Sequence, residues 1–151
     1  MSYHEKRAIV SALSMALIPV IYFAIVLKSY PAGSAYSVEV FHFWGLALLV
    51  LIPVSIAARI AIDILFRIAN RIATNEKEPS FRDERDRLIE LRALQMSHYT
   101  FMVGYVVAMI SLVSDKSPAT MFTILVIAGA VSAVVSELLR FYYYHRGFQD
   151  G

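Results

Sequence analysis

The 151 residues contain no cysteine, which excludes disulfides, thiol nucleophiles and thiolate metal sites. Charge is scarce. Asp, Glu, Lys and Arg make up 17% of the chain, below the share of about a quarter usual in soluble domains. Glycine and proline are few, and no segment is repetitive or of low complexity. There is no Walker loop, no G-x-G-x-x-G, no H-E-x-x-H and no G-x-S-x-G. His4, His42, His98 and His145 stand without ligand spacing, so no metal site and no cofactor is expected. The carboxylates pair only at salt-bridge spacing. These absences turn the reading away from an enzyme.

What the chain does have is apolar residues, 58% of the total, gathered into runs that exclude charge. Residues 8–27 form the first run. Twenty residues at about 1.5 Å each span about 30 Å, the hydrocarbon thickness of a bilayer. A signal peptide would start the same way, with Lys6 and Arg7 ahead of the run and Gly33-Ser34-Ala35 after it. The run exceeds the roughly 7–15 apolar residues of a signal core, so a retained span is expected. Pro19, in mid-run, is expected to kink it. Further spans are expected at about 40–62, 93–113 and 119–139. The last two are joined only by Ser114-Asp115-Lys116-Ser117-Pro118, a link that requires neighbouring, oppositely directed helices.

The basic residues set an orientation. Twelve of the fourteen Lys and Arg fall on the side of the termini and of the long middle segment, and only Lys28 and Lys116 fall on the other. Positive charge stays inside, so both ends are expected in the cytoplasm. Tyr30, Tyr36, Phe41, Phe43 and Trp44 at the outer side, and Phe141 to Tyr144 at the inner side, read as interfacial anchors. The expected fold is an all-α, integral membrane, antiparallel four-helix bundle, N-in/C-in. The chain forms one membrane domain with a helical cytoplasmic extension between spans two and three.

That extension, about 67–92, holds much of the charge. Arg59, Asp63, Arg67 and Arg71 recur every four residues beside Ile60, Ile64 and Ile68, an amphipathic continuation of the second span. Breaks are expected at Asn75 and Pro79. Ser80 then caps a new helix, with Asp83 at the capping-box position. With no breaker after it, one helix is predicted over about 81–113. Arg82, Asp83, Glu84, Arg85, Asp86 and Arg87 form its charged start. They can pair among themselves on a solvated helix, with Arg82 meeting Asp86 and Asp83 meeting Arg87, present a docking surface for a protein, or bind anionic lipid. Acids interleave the bases, so direct nucleic-acid binding is not expected.

Arg59, Asp63, Gln95, His98 and Glu137 lie near the inner ends of spans two, three and four. Charge at membrane depth is costly, which leads to the expectation of an interhelical network; snorkelling and a proton or ligand site are the alternatives. Small residues four apart, Gly104 with Ala108, Gly129 with Ala133 and Ser132 with Ser136, suggest close helix contacts.

The run Arg82-Asp83-Glu84-Arg85-Asp86-Arg87-Leu88-Ile89-Glu90 resembles that of a family of small, uncharacterised bacterial membrane proteins of the domain-of-unknown-function type. Those proteins have four spans and a D-E-R-D/E-like motif before the third. Asp83, Glu84, Arg85 and Asp86 would occupy that motif here. The resemblance implies the bacterial cytoplasmic membrane. It also implies a partnership with a small helix-turn-helix regulator, because some relatives are encoded beside one. The expected function is therefore that of a non-enzymatic regulatory or scaffold protein docking a cytoplasmic partner on 67–92. The alternative is a small oligomeric transport or proton-linked protein using the inner polar residues.

Overall fold

The computed structural model describes residues 3–74 and 84–146, without the side chains of His4 and Thr74. Four helices account for most of them: α1 (Tyr3–Val26), α2 (Val38–Thr74), α3 (Glu84–Val113) and α4 (Pro118–Arg146). A single 3-10 turn, Leu27–Ser29, follows α1, and no strand occurs among the described residues. All four helices are long and apolar enough to cross a membrane. Much of their aliphatic surface faces outward, including Leu17, Val20, Ile25, Leu49, Ile56, Val103 and Val106. Exposed apolar area on this scale belongs against lipid, and the chain is an integral membrane protein built as a helical bundle.

The ends of the helices follow from local chemistry. Ser37 precedes α2, and its Oγ accepts the Val40 N–H at 3.3 Å. Ser117 caps α4 in the same manner, accepting the Thr120 N–H at 3.4 Å, with Pro118 at the first helical position. Between α3 and α4, Asp115 takes the left-handed conformation at φ 58°. The Lys116 N–H returns to the Ser111 carbonyl and the Asp115 N–H to that of Leu112, a Schellman ending. Helix α1 runs unbroken through Pro19, and α2 through Pro53. The continuation expected past Ala58 is present: α2 has 37 residues, about 55 Å of helix. The predicted helix over 81–113 is described from Glu84 onward; residues 75–83, with the breaks expected there, lie outside the described residues.

Packing is uneven. Helix α3 lies along α4, α4 along α1, and α1 along α2, while α2 touches α4 over a short stretch and does not approach α3 among the described residues. The α3–α4 seam is made of small side chains. Ala93, Ala108 and Ala128 are buried in it with Ser111, Ser132 and Ser136. Ser111 and Ser132 donate to carbonyls of their own helices, so the seam has no need of interhelical polar contacts there. A Cβ on Gly104 would collide with that of Ala128, which identifies Gly104 as the point of closest approach.

At the end where α1 gives way to α2 the packing is aromatic. Phe23, Val40, Trp44 and Ala47 form a buried cluster. Trp44 stacks on Phe122 of α4 at 5.5 Å, and the Tyr22 hydroxyl donates to the Ala47 carbonyl at 2.8 Å. This corrects the expected role of Trp44. It is 3% exposed, a wedge between helices rather than an anchor at the headgroups, and its ring N–H has no acceptor among the described residues. Tyr36 and Phe41 do face outward. The Tyr36 hydroxyl also donates to the Lys116 carbonyl at 3.4 Å, tying together the two loops at this end.

Candidate functional site: the charged collar at the chain ends

At the opposite end, polar side chains join the helices pairwise. Arg7, one turn into α1, donates from Nε to Asp63 Oδ1 at 3.0 Å and from Nη2 to Oδ2 at 3.2 Å. This two-pronged contact matches the guanidinium fork to a carboxylate. Arg67, one turn further along α2, reaches the same Asp63 at 3.1 Å. Tyr3 packs on Phe66 nearby, with ring centroids 5.6 Å apart, and Asn70 is buried. Asp63, Phe66 and Asn70 thus define the face of α2 that meets α1.

The C-terminal end of α4 closes the collar. His145 Nδ1 lies 3.3 Å from Glu5 Oε1 of α1, and its ring stacks on Phe141. Glu137 is 4% exposed and receives Arg140 Nη1 at 3.2 Å. Tyr144 lies five residues beyond the apolar stretch of α4 and turns toward Asp86 of α3. Burial and the negative charges of Asp86 and Glu90 push its phenol up to about 12. The three tyrosines expected to anchor α4 therefore differ. Tyr142 faces outward and carries Arg146 over its ring at 5.4 Å; Tyr144 turns inward; Tyr143 lies half-buried between them.

The expected network of Arg59, Asp63, Gln95, His98 and Glu137 separates into unrelated contacts. Asp63 takes Arg7 and Arg67, and Glu137 takes Arg140 on its own helix. The Gln95 amide donates to the Tyr99 hydroxyl at 3.2 Å, and His98 is exposed with its ring near that of Tyr99. Arg59 meets none of the other four. The reason is helix order. Helices α2 and α3 are not neighbours, so equal depth does not bring Arg59 to His98 or Gln95. The pairing missed was Arg7 with Asp63, two charges that each lie close to the chain-terminus end of an apolar run.

Of the expected docking residues, Arg82 and Asp83 lie outside the described residues. Glu84, Arg85 and Arg87 are exposed, while Asp86 is half-buried against α4. Beside them in sequence, the last turns of α2 present Ile60, Ile64, Leu65, Ile68 and Ile72, each more than half exposed. Among the described residues no three His, Asp or Glu side chains converge to hold a metal ion. Comparison with known protein families, with curated proteins and with solved structures finds no match.

Proposed function

We propose that the protein is a non-enzymatic scaffold of the bacterial cytoplasmic membrane. Its helices cross antiparallel with both chain ends inside, and it docks a soluble protein on the extension between α2 and α3. The observation that supports this reading is the free end of α2. The helix continues 15 residues past Arg59, about 22 Å at 1.5 Å per residue. That is four turns beyond the hydrocarbon. Over those turns Ile64, Leu65, Ile68 and Ile72 form an exposed apolar stripe beside Arg67 and Arg71. A stripe of this kind at three- and four-residue spacing suits an amphipathic helix of a partner. The partner would carry acidic side chains to meet Arg71, Arg85 and Arg87. By the family resemblance, a small helix-turn-helix regulator is the partner of choice.

The test uses the full chain in native membranes. Single cysteines at Ser34, Ser117, Ser80 and Gln149 have a background free of native thiols. An impermeant reagent on intact cells should label the first two and spare the last two. Cross-linking and co-purification should then yield a soluble protein with the native chain and lose it with Ile68→Glu combined with Ile72→Glu, or with Arg85→Glu combined with Arg87→Glu. Unchanged co-purification in both variants would end the docking reading. Ion or proton flux in liposomes that depends on His98 and Glu137 would replace it with the transport reading.

A further inference from the structure

Below the aromatic wedge of Trp44 and Phe122, α2 parts from α4 and a groove of about 370 Å³ opens between them. Met15 and Pro19 of α1 form its floor, Leu51 and Ser55 of α2 one wall, and Gly129 and Ala133 of α4 the other. The lining is apolar apart from Ser55 and Arg59. Along α2 it runs from Leu48 to Arg59, about 16 Å at 1.5 Å per residue. One leaflet of a hydrocarbon core about 30 Å thick has nearly that depth.

Arg59 stands at the inner end of this groove, 21 residues after the first residue of α2 and so about 30 Å along it. That is the hydrocarbon boundary. The described residues give Arg59 no ion pair and no side-chain hydrogen bond. Asp63, one turn away, is already held by Arg7 and Arg67. Arg59 is thus a third guanidinium near a carboxylate already taken by two, and the local field is positive. A guanidinium beside hydrocarbon without a counter-ion calls for an oxyanion, and its planar fork fits phosphate.

The width of the groove decides among occupants. Counted out to the lining atoms the open space is about 900 Å³, which over that length leaves a cross-section of at most roughly 56 Å². An α-helix about 10 Å across needs roughly 80 Å², so neither a partner helix nor a second copy of α2 fits. A single extended acyl chain does. We propose that the groove binds one acyl chain of an anionic phospholipid from the leaflet at the chain-end side, with its phosphate held by Arg59. The site is separate from the proposed docking stripe, which begins beyond Arg59 on the outward side of α2.

The experiment is native mass spectrometry of the full chain in detergent, titrated with phosphatidylglycerol. Diacylglycerol of the same chains and inorganic phosphate serve as the two half-ligands. One tightly bound phosphatidylglycerol is expected, with neither half-ligand competing at the same concentration. Arg59→Gln removes the cation without removing a protein contact. Gly129→Leu fills the groove, since a Cβ there meets no atom within 4 Å. Each should weaken binding on the order of tenfold or more, as expected for loss of a charge-assisted contact or of the chain's seat. Arg146→Gln, at an exposed arginine of the same end, should leave it unchanged. Circular dichroism and gel filtration confirm that each variant is folded. The proposal is overturned if Arg59→Gln and Gly129→Leu bind as the native chain does. It is equally overturned if Arg146→Gln weakens binding as much as Arg59→Gln, if diacylglycerol or inorganic phosphate alone binds as well, or if the native chain appears as a dimer that Gly129→Leu abolishes.

Discussion

Helices α3 and α4 approach until Gly104 leaves no room for a methyl group against Ala128. Helices α1 and α2 are held differently, by a wedge of rings at one end and by Arg7 on Asp63 at the other. Between those clamps α2 leaves a groove, and past them it continues with its isoleucines uncovered. In lipid there is no hydrophobic gain from bringing two apolar helices together, so association rests on close packing and on polar contacts. The first pair uses the former along its whole length. The second uses contacts at its ends and is free to present surface in between. Both candidate binding features, the groove and the stripe, lie on α2.

The comparison can be broken most directly at glycine. Gly104→Ala should destabilise the protein in detergent by about 1–3 kcal/mol, the usual cost of overpacking a fitted contact. Gly45→Ala, on α2 where a Cβ meets nothing within 4 Å, should cause no loss. Thermal unfolding of both variants decides the matter. Equal behaviour would mean that the seam is no tighter than the α2 flank.

The end clamp is the next element to separate. A double-mutant cycle on Arg7→Leu and Asp63→Leu should show coupling of at most about 1 kcal/mol, because both side chains remain about one-third exposed. The parallel cycle on Arg59→Leu and Glu137→Leu should be additive, since those residues do not meet. Coupling in the second cycle and none in the first would restore the network read from depth alone.

That contrast shows how far the sequence carries. The uncharged runs at 93–113 and 119–136 fall inside single helices, the run at 8–27 does so up to Val26, and the amphipathic continuation past Ala58 stays within α2. Length and charge exclusion act locally along a chain, so they can be read from it. Which helix lies beside which is not local. Equal depth puts Arg59, His98 and Glu137 on one level, but α2 meets α4 over only a short stretch and does not approach α3 among the described residues. Arg7 looked like a flanking charge because its partner is 56 residues away. The small-residue pairs were equally ambiguous: Gly104 and Ala108 lie in the α3–α4 seam, whereas Gly129 and Ala133 line the groove. By residue type Trp44 reads as an interfacial anchor, but the stacking on Phe122 that buries it comes from another helix.

The smallest effect sharpens the comparison from the other side, by asking whether the short link rather than the seam holds α3 to α4. Asp115 has φ 58°, a conformation that costs a residue with a side chain up to about 1–2 kcal/mol, less for Asp, and costs glycine nothing. Asp115→Gly relieves that strain but gives the unfolded chain more freedom, worth about 0.5–1 kcal/mol in the opposite direction. The two terms oppose each other at similar size, and both Schellman hydrogen bonds use backbone atoms that the substitution leaves in place. The net change should stay within about 0.5 kcal/mol. Asp115→Val, β-branched and poorly tolerated at positive φ, should cost more. If Asp115→Gly instead shifts the unfolding midpoint as far as Gly104→Ala does, the turn and not the Gly104–Ala128 contact determines how closely the two helices lie.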